Sequence, residues 1–227
     1  VDRRGDSTIP SQVMMARLKN VRFTLALLLG VLVAACDATP PPVGIARGEE
    51  LFDTCAPCHG DMGEGNADID APAIAGLPQW YLEAQLESFK AGFRGKHADD
   101  LPALRMRPMA VSLTREGDVP SVAEYVASLV APIPESTLHG NAGAGAERYA
   151  SVCVACHGAA GEGNEALRAP PIVQLNDWYL VQELQNFKSG ARGADPADTW
   201  GGQMRINSLA LDDQAMADVI AYVQTLR

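Results

Sequence analysis

The pentapeptide Cys-x-x-Cys-His occurs twice, as Cys55-Ala56-Pro57-Cys58-His59 and as Cys153-Val154-Ala155-Cys156-His157. A C-x-x-C pair alone also fits a thioredoxin-like redox pair or half of a zinc site. The redox pair needs no following His and accompanies a βαβ pattern, which this sequence lacks. The zinc site needs a second pair of ligands at short spacing, and none follows either motif. With the adjacent His, the pentapeptide is the attachment motif for a covalent haem: the two thiols bind the macrocycle and the His stands under the iron. We therefore expect two covalently bound haem c groups. One is held by Cys55, Cys58 and His59, the other by Cys153, Cys156 and His157.

The two motifs belong to a longer repeat. Shifted by 98 residues, Gly63-Glu64-Gly65-Asn66 falls on Gly161-Glu162-Gly163-Asn164, and Ala71-Pro72 on Ala169-Pro170. Trp80-Tyr81-Leu82 falls on Trp178-Tyr179-Leu180, Phe89-Lys90 on Phe187-Lys188, Arg94-Gly95 on Arg192-Gly193, and Met106 on Met204. From Cys55 to Met106 no gap is needed and 23 of 52 positions are identical, which makes this a duplicated domain and not a reused motif. The expected organisation is an upstream and signal segment at 1–35, an acylated Cys and Pro-rich tether at 36–43, a first domain at 44–130, a linker at 131–137 and a second domain at 138–227. Each domain is small for a purely hydrophobic core, and a buried haem would supply much of the apolar filling.

Apolar periodicity predicts an all-α fold. Gly44 to Thr54 and Gly145 to Cys153 read as short helices leading into the motifs. Trp80 to Gly92 and Trp178 to Gly190 carry Leu82, Leu86, Phe89 and Leu180, Leu184, Phe187 at helical spacing. Val119 to Leu129 and Asp212 to Leu226 close the two domains, and the Gly- and Pro-rich stretches between read as loops.

An electron carrier needs a sixth iron ligand, and a Met thioether raises the potential by favouring Fe(II). The first domain offers Met106 and Met109, the second Met204 and Met216. The repeat favours Met106 with Met204, because Met109 aligns with Asn207 and Met216 lies within the last helix. Trp80, Trp178, Tyr81 and Tyr179 are candidates for reaching haem propionates, or for helix packing. Arg94 and Arg192 are candidates for pairing with propionates, or for a solvated surface. His97 and His139 lack counterparts and read as surface residues.

Taken together, C-x-x-C-H-G-x-x-G-E-G-N, A-P, W-Y-L-x-x-x-L-x-x-F-K-x-G-x-R-G and a Met before the terminal helix resemble class I bacterial cytochromes c. As a tandem pair they resemble the two-haem c-four family, over residues 44–227. The resemblance implies two tandem cytochrome c domains wrapped around covalent haems, and a periplasmic electron-transfer protein that is not itself an enzyme. It would take electrons from a quinol-oxidising complex or a dehydrogenase and pass them to a terminal oxidase or reductase. Two alternatives stand beside it: a haem subunit of a larger oxidoreductase, and a two-haem enzyme such as a peroxidase or a thiosulfate dehydrogenase. The enzyme needs an iron with an open position, against which a Met at the same place in both repeats argues.

Residues Met14 to Ala35 read as an export signal. Arg17, Lys19 and Arg22 precede a thirteen-residue, mostly apolar run from Phe23 to Ala35, shorter than the ~18 residues of a membrane span. The run ends Val33-Ala34-Ala35-Cys36, which resembles a lipobox, so Cys36 is the expected lipidation site and the chain a membrane-attached periplasmic lipoprotein. Asp37 next to it implies, under enteric-type sorting, retention at the inner membrane. Ala38-Thr39-Pro40-Pro41-Pro42 then reads as a short stiff tether. The net charge of -10 argues against non-specific nucleic-acid binding and suits redox partners with basic patches.

Overall fold

In each half of the chain a helix leads into the Cys-x-x-Cys-His motif and packs across the closing helix of the same half. The computed structural model describes residues 43–130 and 132–227; the apolar run, Cys36 and the tether lie outside them. In the first half, α1 (Gly44–Phe52) precedes α2 (Ala56–His59), followed by α3 (Gln79–Ala91), α4 (Leu101–Val111) and α5 (Asp118–Ser128). The second half repeats the order: α6 (Ala142–Arg148), α7 (Val154–His157), α8 (Asp177–Ser189), α9 (Thr199–Ser208) and α10 (Asp213–Gln224). No strand forms among the described residues; two isolated bridges, Asn66 to Ala71 and Asn164 to Ala169, pin equivalent loops.

The crossing of α1 over α5 is close because Gly48 gives it no side chain. A Cβ there would lie 2.1 Å from the Ser121 carbonyl oxygen and 2.6 Å from the Tyr125 Cβ. Gly145 plays the same part for α6 over α10, where a Cβ would lie 2.0 Å from the Asp218 carbonyl oxygen. The contact brings Phe52 against Tyr125 and Tyr149 against Tyr222, both at 5.4 Å between ring centroids. Two residues separate Phe52 from Cys55, but three separate Tyr149 from Cys153. The extra residue is absorbed by a π-helical turn, Tyr149–Cys153, the usual way a helix takes an insertion without breaking.

The long helices α3 and α8 end where Gly92 and Gly190 take left-handed φ, and Lys90 and Lys188 reach back to the carbonyls of Leu113 and Leu211 at 2.7 and 2.5 Å. This is the structural use of the repeated Phe-Lys pair. One difference from the sequence reading is substantial. The stretches that carry Met106 and Met204 are helices, α4 and α9, not loops. Asp100 and Asp198 cap them, accepting from the amides of Ala103 and Gly201. Pro102 falls in the first turn, where its missing N–H costs nothing. Met216 is fully buried in α10 among Leu211 and Ala215, as core.

The two halves share one continuous core, in which Leu77, Tyr81 and Leu82 of the first meet Leu175, Tyr179 and Leu180 of the second. Asn176 adds a polar tie, its side-chain oxygen accepting from the Ala73 amide at 2.8 Å. Asp177 holds the segment after the linker, accepting from the backbone amides of Thr137 and Leu138 and from the Thr137 hydroxyl. Replacing Gly48 by Val forces backbone apart at the α1–α5 crossing and is expected to cost about 1–3 kcal/mol, the usual range for overpacking. Gly143→Ala, whose added carbon meets only the Asn141 side chain at 3.3 Å, should stay within about 1 kcal/mol of the parent or gain stability. Denaturant melts of the haem-loaded protein measure both.

Candidate functional site

Each motif His sits at the end of a one-turn helix, with its ring turned inward and buried. His59 Nδ1 donates to the carbonyl of Pro72 at 2.8 Å, and His157 Nδ1 to that of Pro170 at 2.9 Å. Because a carbonyl can only accept, the Nδ1 proton is fixed and Nε2 is left with its lone pair free for a metal. Burial lowers both imidazole pKa values, so the rings are neutral, as a ligand requires.

The Gly-Glu-Gly-Asn and Ala-Pro motifs exist to make that hydrogen bond. Gly65 has φ +87°, its amide donates to the His59 carbonyl at 2.7 Å, and a Cβ on it would strike the Ala73 nitrogen at 2.5 Å. Gly163 repeats this against Pro171. Asn66 then pairs with Ala71 through both backbone groups, at 2.7 and 3.0 Å, which delivers the next residue, Pro72, to the imidazole.

Two cavities open beside the two imidazoles. The first, about 350 Å³, is lined by Cys55, Cys58, His59, Met106 and Met109 among others. The second, about 500 Å³, is lined by Cys153, His157 and Met204. The four cysteines are free thiols, and burial, with a smaller push from Cys58, raises Cys55 to about 11. Cys153 stands at about 11 as well, again chiefly through burial. A structural zinc site wants thiolates gathered with other ligands, and no group of three or more His, Cys, Asp or Glu among the described residues is placed to hold a metal ion. A thiol pair, a neutral imidazole with a free Nε2 and an apolar cavity fit haem c. Bound there, haem supplies a one-electron Fe(III)/Fe(II) couple.

The cavities are not independent. Tyr81, Gln85, Leu175, Tyr179 and Glu183 line both. Within this common wall Arg94 donates to Gln85 at 2.8 Å and to Glu183 of the other domain at 2.9 Å. Arg192 makes the matching contacts, to Glu183 and, at 2.8 Å, to Gln85. Each guanidinium also lies over the Phe of its own domain, Phe89 or Phe187, at 4.5 and 4.4 Å. Burial alone would raise the Glu183 pKa, but the two arginines more than reverse that and keep it ionised. The reading of Arg94 and Arg192 as solvated surface residues is therefore overturned; Arg94 is 5 % exposed. Tyr81 and Tyr179 are buried in the wall, Trp80 and Trp178 are partly buried against the core, and His97 and His139 are exposed.

Sequence reasoning missed Pro72 and Pro170 as the partners of the proximal His, although their identity across the repeat marked them. It also missed Gln85 and Glu183. These two differ from one another, so alignment of the repeats passed them over.

A tandem pair of small helical domains, each built to bind a haem covalently, defines the class. The chain belongs to the cytochrome c family, whose model matches twice, over residues 45–130 and 142–227. It is 35% identical over 181 residues to the thiosulfate dehydrogenase electron acceptor of Stutzerimonas stutzeri (strain A1501), covering 74% of this chain and 78% of that one. It is 28% identical over 214 residues to cytochrome c4 of Azotobacter vinelandii, covering 89% and 97%. Among solved structures it resembles thiosulfate dehydrogenase (TsdBA) from Marichromatium purpuratum, with TM-score 0.63 and 30% identity over 80% of this chain and 40% of that one. The protein is a two-haem cytochrome c of electron transfer.

Converting Cys153 and Cys156 together to Ala should leave one covalent haem per chain, read from the pyridine haemochrome spectrum against protein concentration. Two haems in the variant, or a wild-type haem extractable by acid acetone, contradicts the assignment.

Proposed function

We propose that the protein is a periplasmic, membrane-attached electron carrier in which Met106 and Met204 are the distal iron ligands. The observation that carries this reading is the placement of the two methionines. Each lines the cavity of its own domain's His, on equivalent helices and at equal spacing from that His. A six-coordinate iron exchanges electrons without binding a substrate, so the chain is a carrier and not an enzyme. Met109 also lines the first cavity, but it is 41 % exposed and its counterpart is Asn207.

A quinol-oxidising complex or a dehydrogenase is the donor, and a terminal oxidase or reductase the acceptor. Support for the dehydrogenase comes from two relatives named as thiosulfate dehydrogenase electron acceptors. Relatives named as subunits of a cbb3-type cytochrome c oxidase support an oxidase as acceptor. The second reading, a fixed haem subunit of a larger oxidoreductase, is favoured by one observation: the likeness to TsdBA covers only part of a longer chain. Co-purification from detergent-solubilised membranes decides between the two. For the carrier, thiosulfate alone should leave the oxidised protein unreduced, and thiosulfate with a thiosulfate dehydrogenase should reduce both haems. Direct reduction by thiosulfate would instead make the protein an enzyme.

Met106→Ala should abolish the Met–iron charge-transfer band of the first haem, lower its potential and open it to carbon monoxide when reduced. Met109→Ala should leave all three as they were; the reverse result moves the ligand to Met109.

Attachment is assigned to acylation of Cys36, supported by the apolar run that ends Val33-Ala34-Ala35 immediately before it. Cys36→Ser should release the protein from the membrane fraction or block its maturation. An unmodified mature N-terminus at another residue, found by mass spectrometry, rejects the anchor.

A further inference from the structure

The two helices that carry Met106 and Met204 are held alike on one side and differently on the other. Asp100 and Asp198 cap them. Gly95 and Gly193 pass so close to them that an added Cβ would lie 2.5 and 2.2 Å from the carbonyl oxygens of Ala103 and Gly201. The difference lies at the residue just before each Met. Arg105 donates to the carbonyl of Ile69 at 2.8 Å and stands 3.6 Å from the Asp70 carboxylate. Ile69, Asp70, Arg105 and Met106 all line the first cavity. Ile69 and Asp70 belong to the loop that the Asn66–Ala71 bridge pins and that brings Pro72 to His59. Arg105 therefore ties the carrier of the distal Met directly to the loop that orients the proximal His.

The second domain has the same loop without the tie. Asp70 and its counterpart Arg168 share a left-handed φ, 54° and 52°, so the backbone turns alike in both. Arg105, however, is replaced by the exposed Gln203. Arg168 turns to the first domain instead, its guanidinium 5.9 Å from the centre of the Trp80 ring. The side-chain hydrogen bonds of this loop and this helix stay within each: Asn164 accepts from the Leu167 amide, and the Ser208 hydroxyl donates to the Met204 carbonyl. Helix α9 also carries Gly201 and Gly202 where α4 has Ala103 and Leu104, and glycine weakens a helix.

We propose that Arg105 is a positioning residue that keeps Met106 on the first iron, and that the second haem, which lacks this clasp, is the one that gives up its Met to an external ligand. The inference rests on the reading of Met106 and Met204 as distal ligands and deepens it. The exchange breaks one iron–sulfur bond and forms one bond from iron to the incoming donor atom, and no electron moves. For Met106 to leave, α4 must draw away from the loop below it, which parts Arg105 from Ile69 and Asp70. For Met204 nothing equivalent has to part. Arg105 and Asp70 have side chains 57 % and 52 % exposed, so the clasp has the modest strength of a surface contact. It acts on how often the first site opens and not on whether the domain folds.

The test is displacement of Met by imidazole in the full, oxidised, haem-loaded protein. Loss of the Met–iron charge-transfer band gives the rate, and NMR of the iron-bound Met methyl signals assigns it to a domain. At saturating imidazole the rate is that of Met release, and in the parent it should be faster at the second haem. Arg105→Gln, which installs the residue of the second repeat, should speed release at the first haem about two- to fivefold, the factor an exposed charge-assisted contact can supply, and leave the second unchanged. Arg168→Asp with Gln203→Arg transplants the clasp and should slow the second haem by a similar factor. An unchanged rate at the first haem in Arg105→Gln overturns the proposal, as does equal acceleration of both haems, the behaviour of a fold that only loosens. A transplant that does not slow the second haem overturns it as well. A parent protein in which either oxidised haem lacks the Met–iron band would instead overturn the assignment of Met106 and Met204 as ligands.

Discussion

A histidine that binds iron through Nε2 must give its Nδ1 proton to something, and here it goes to a proline carbonyl thirteen residues downstream. Much of each domain follows from that bond. The carbonyl must be brought to a ring anchored at the end of a four-residue helix, so the intervening chain folds back on itself. Gly65 and Gly163 permit the close approach, and the Asn66–Ala71 and Asn164–Ala169 bridges set the length of the return. A proline is a suitable acceptor, since its own nitrogen has no proton and asks nothing of the crowded loop. The same bond selects the tautomer, so the fold and the chemistry of the ligand are fixed together.

Joining two such domains creates something that neither has alone. Each domain would leave an apolar flank and a buried arginine at the side of its cavity. Set face to face, Tyr81 and Tyr179 close one core, and each arginine finds partners in both domains. Buried guanidinium groups are tolerated only when they are paired, so the interface is selective as well as adhesive: a register slip would strand two charges. The same side chains line both cavities, so the two haem sites share one wall.

Several features escaped the sequence for identifiable reasons. Helices α4 and α9 show little apolar periodicity, because part of each inner face lines a cavity and not protein core; Pro102, Pro108, Gly201 and Gly202 further disguise them. The π-turn at Tyr149–Cys153 is visible only as a change in repeat spacing from 98 to 97 residues, and its meaning requires the helix it interrupts. Trp80 and Trp178 read equally as propionate partners or packing residues, since their identity across the repeat is explained by either.

The sequence by itself determined the chemistry that is local in the chain. Cys55, Cys58 and His59, and Cys153, Cys156 and His157, carry their function in their spacing, and the duplication announced two all-α domains with one covalent haem each. The 98-residue register also pairs Met106 with Met204. Only the tertiary structure decided which arginines are buried, which carbonyl each histidine addresses, and that one glutamate faces one glutamine across a common wall. Gln85 and Arg192 lie 107 residues apart, and Arg94 and Glu183 lie 89. Contacts over such distances depend on how two finished domains dock, and docking depends on surfaces that no local pattern in the chain records.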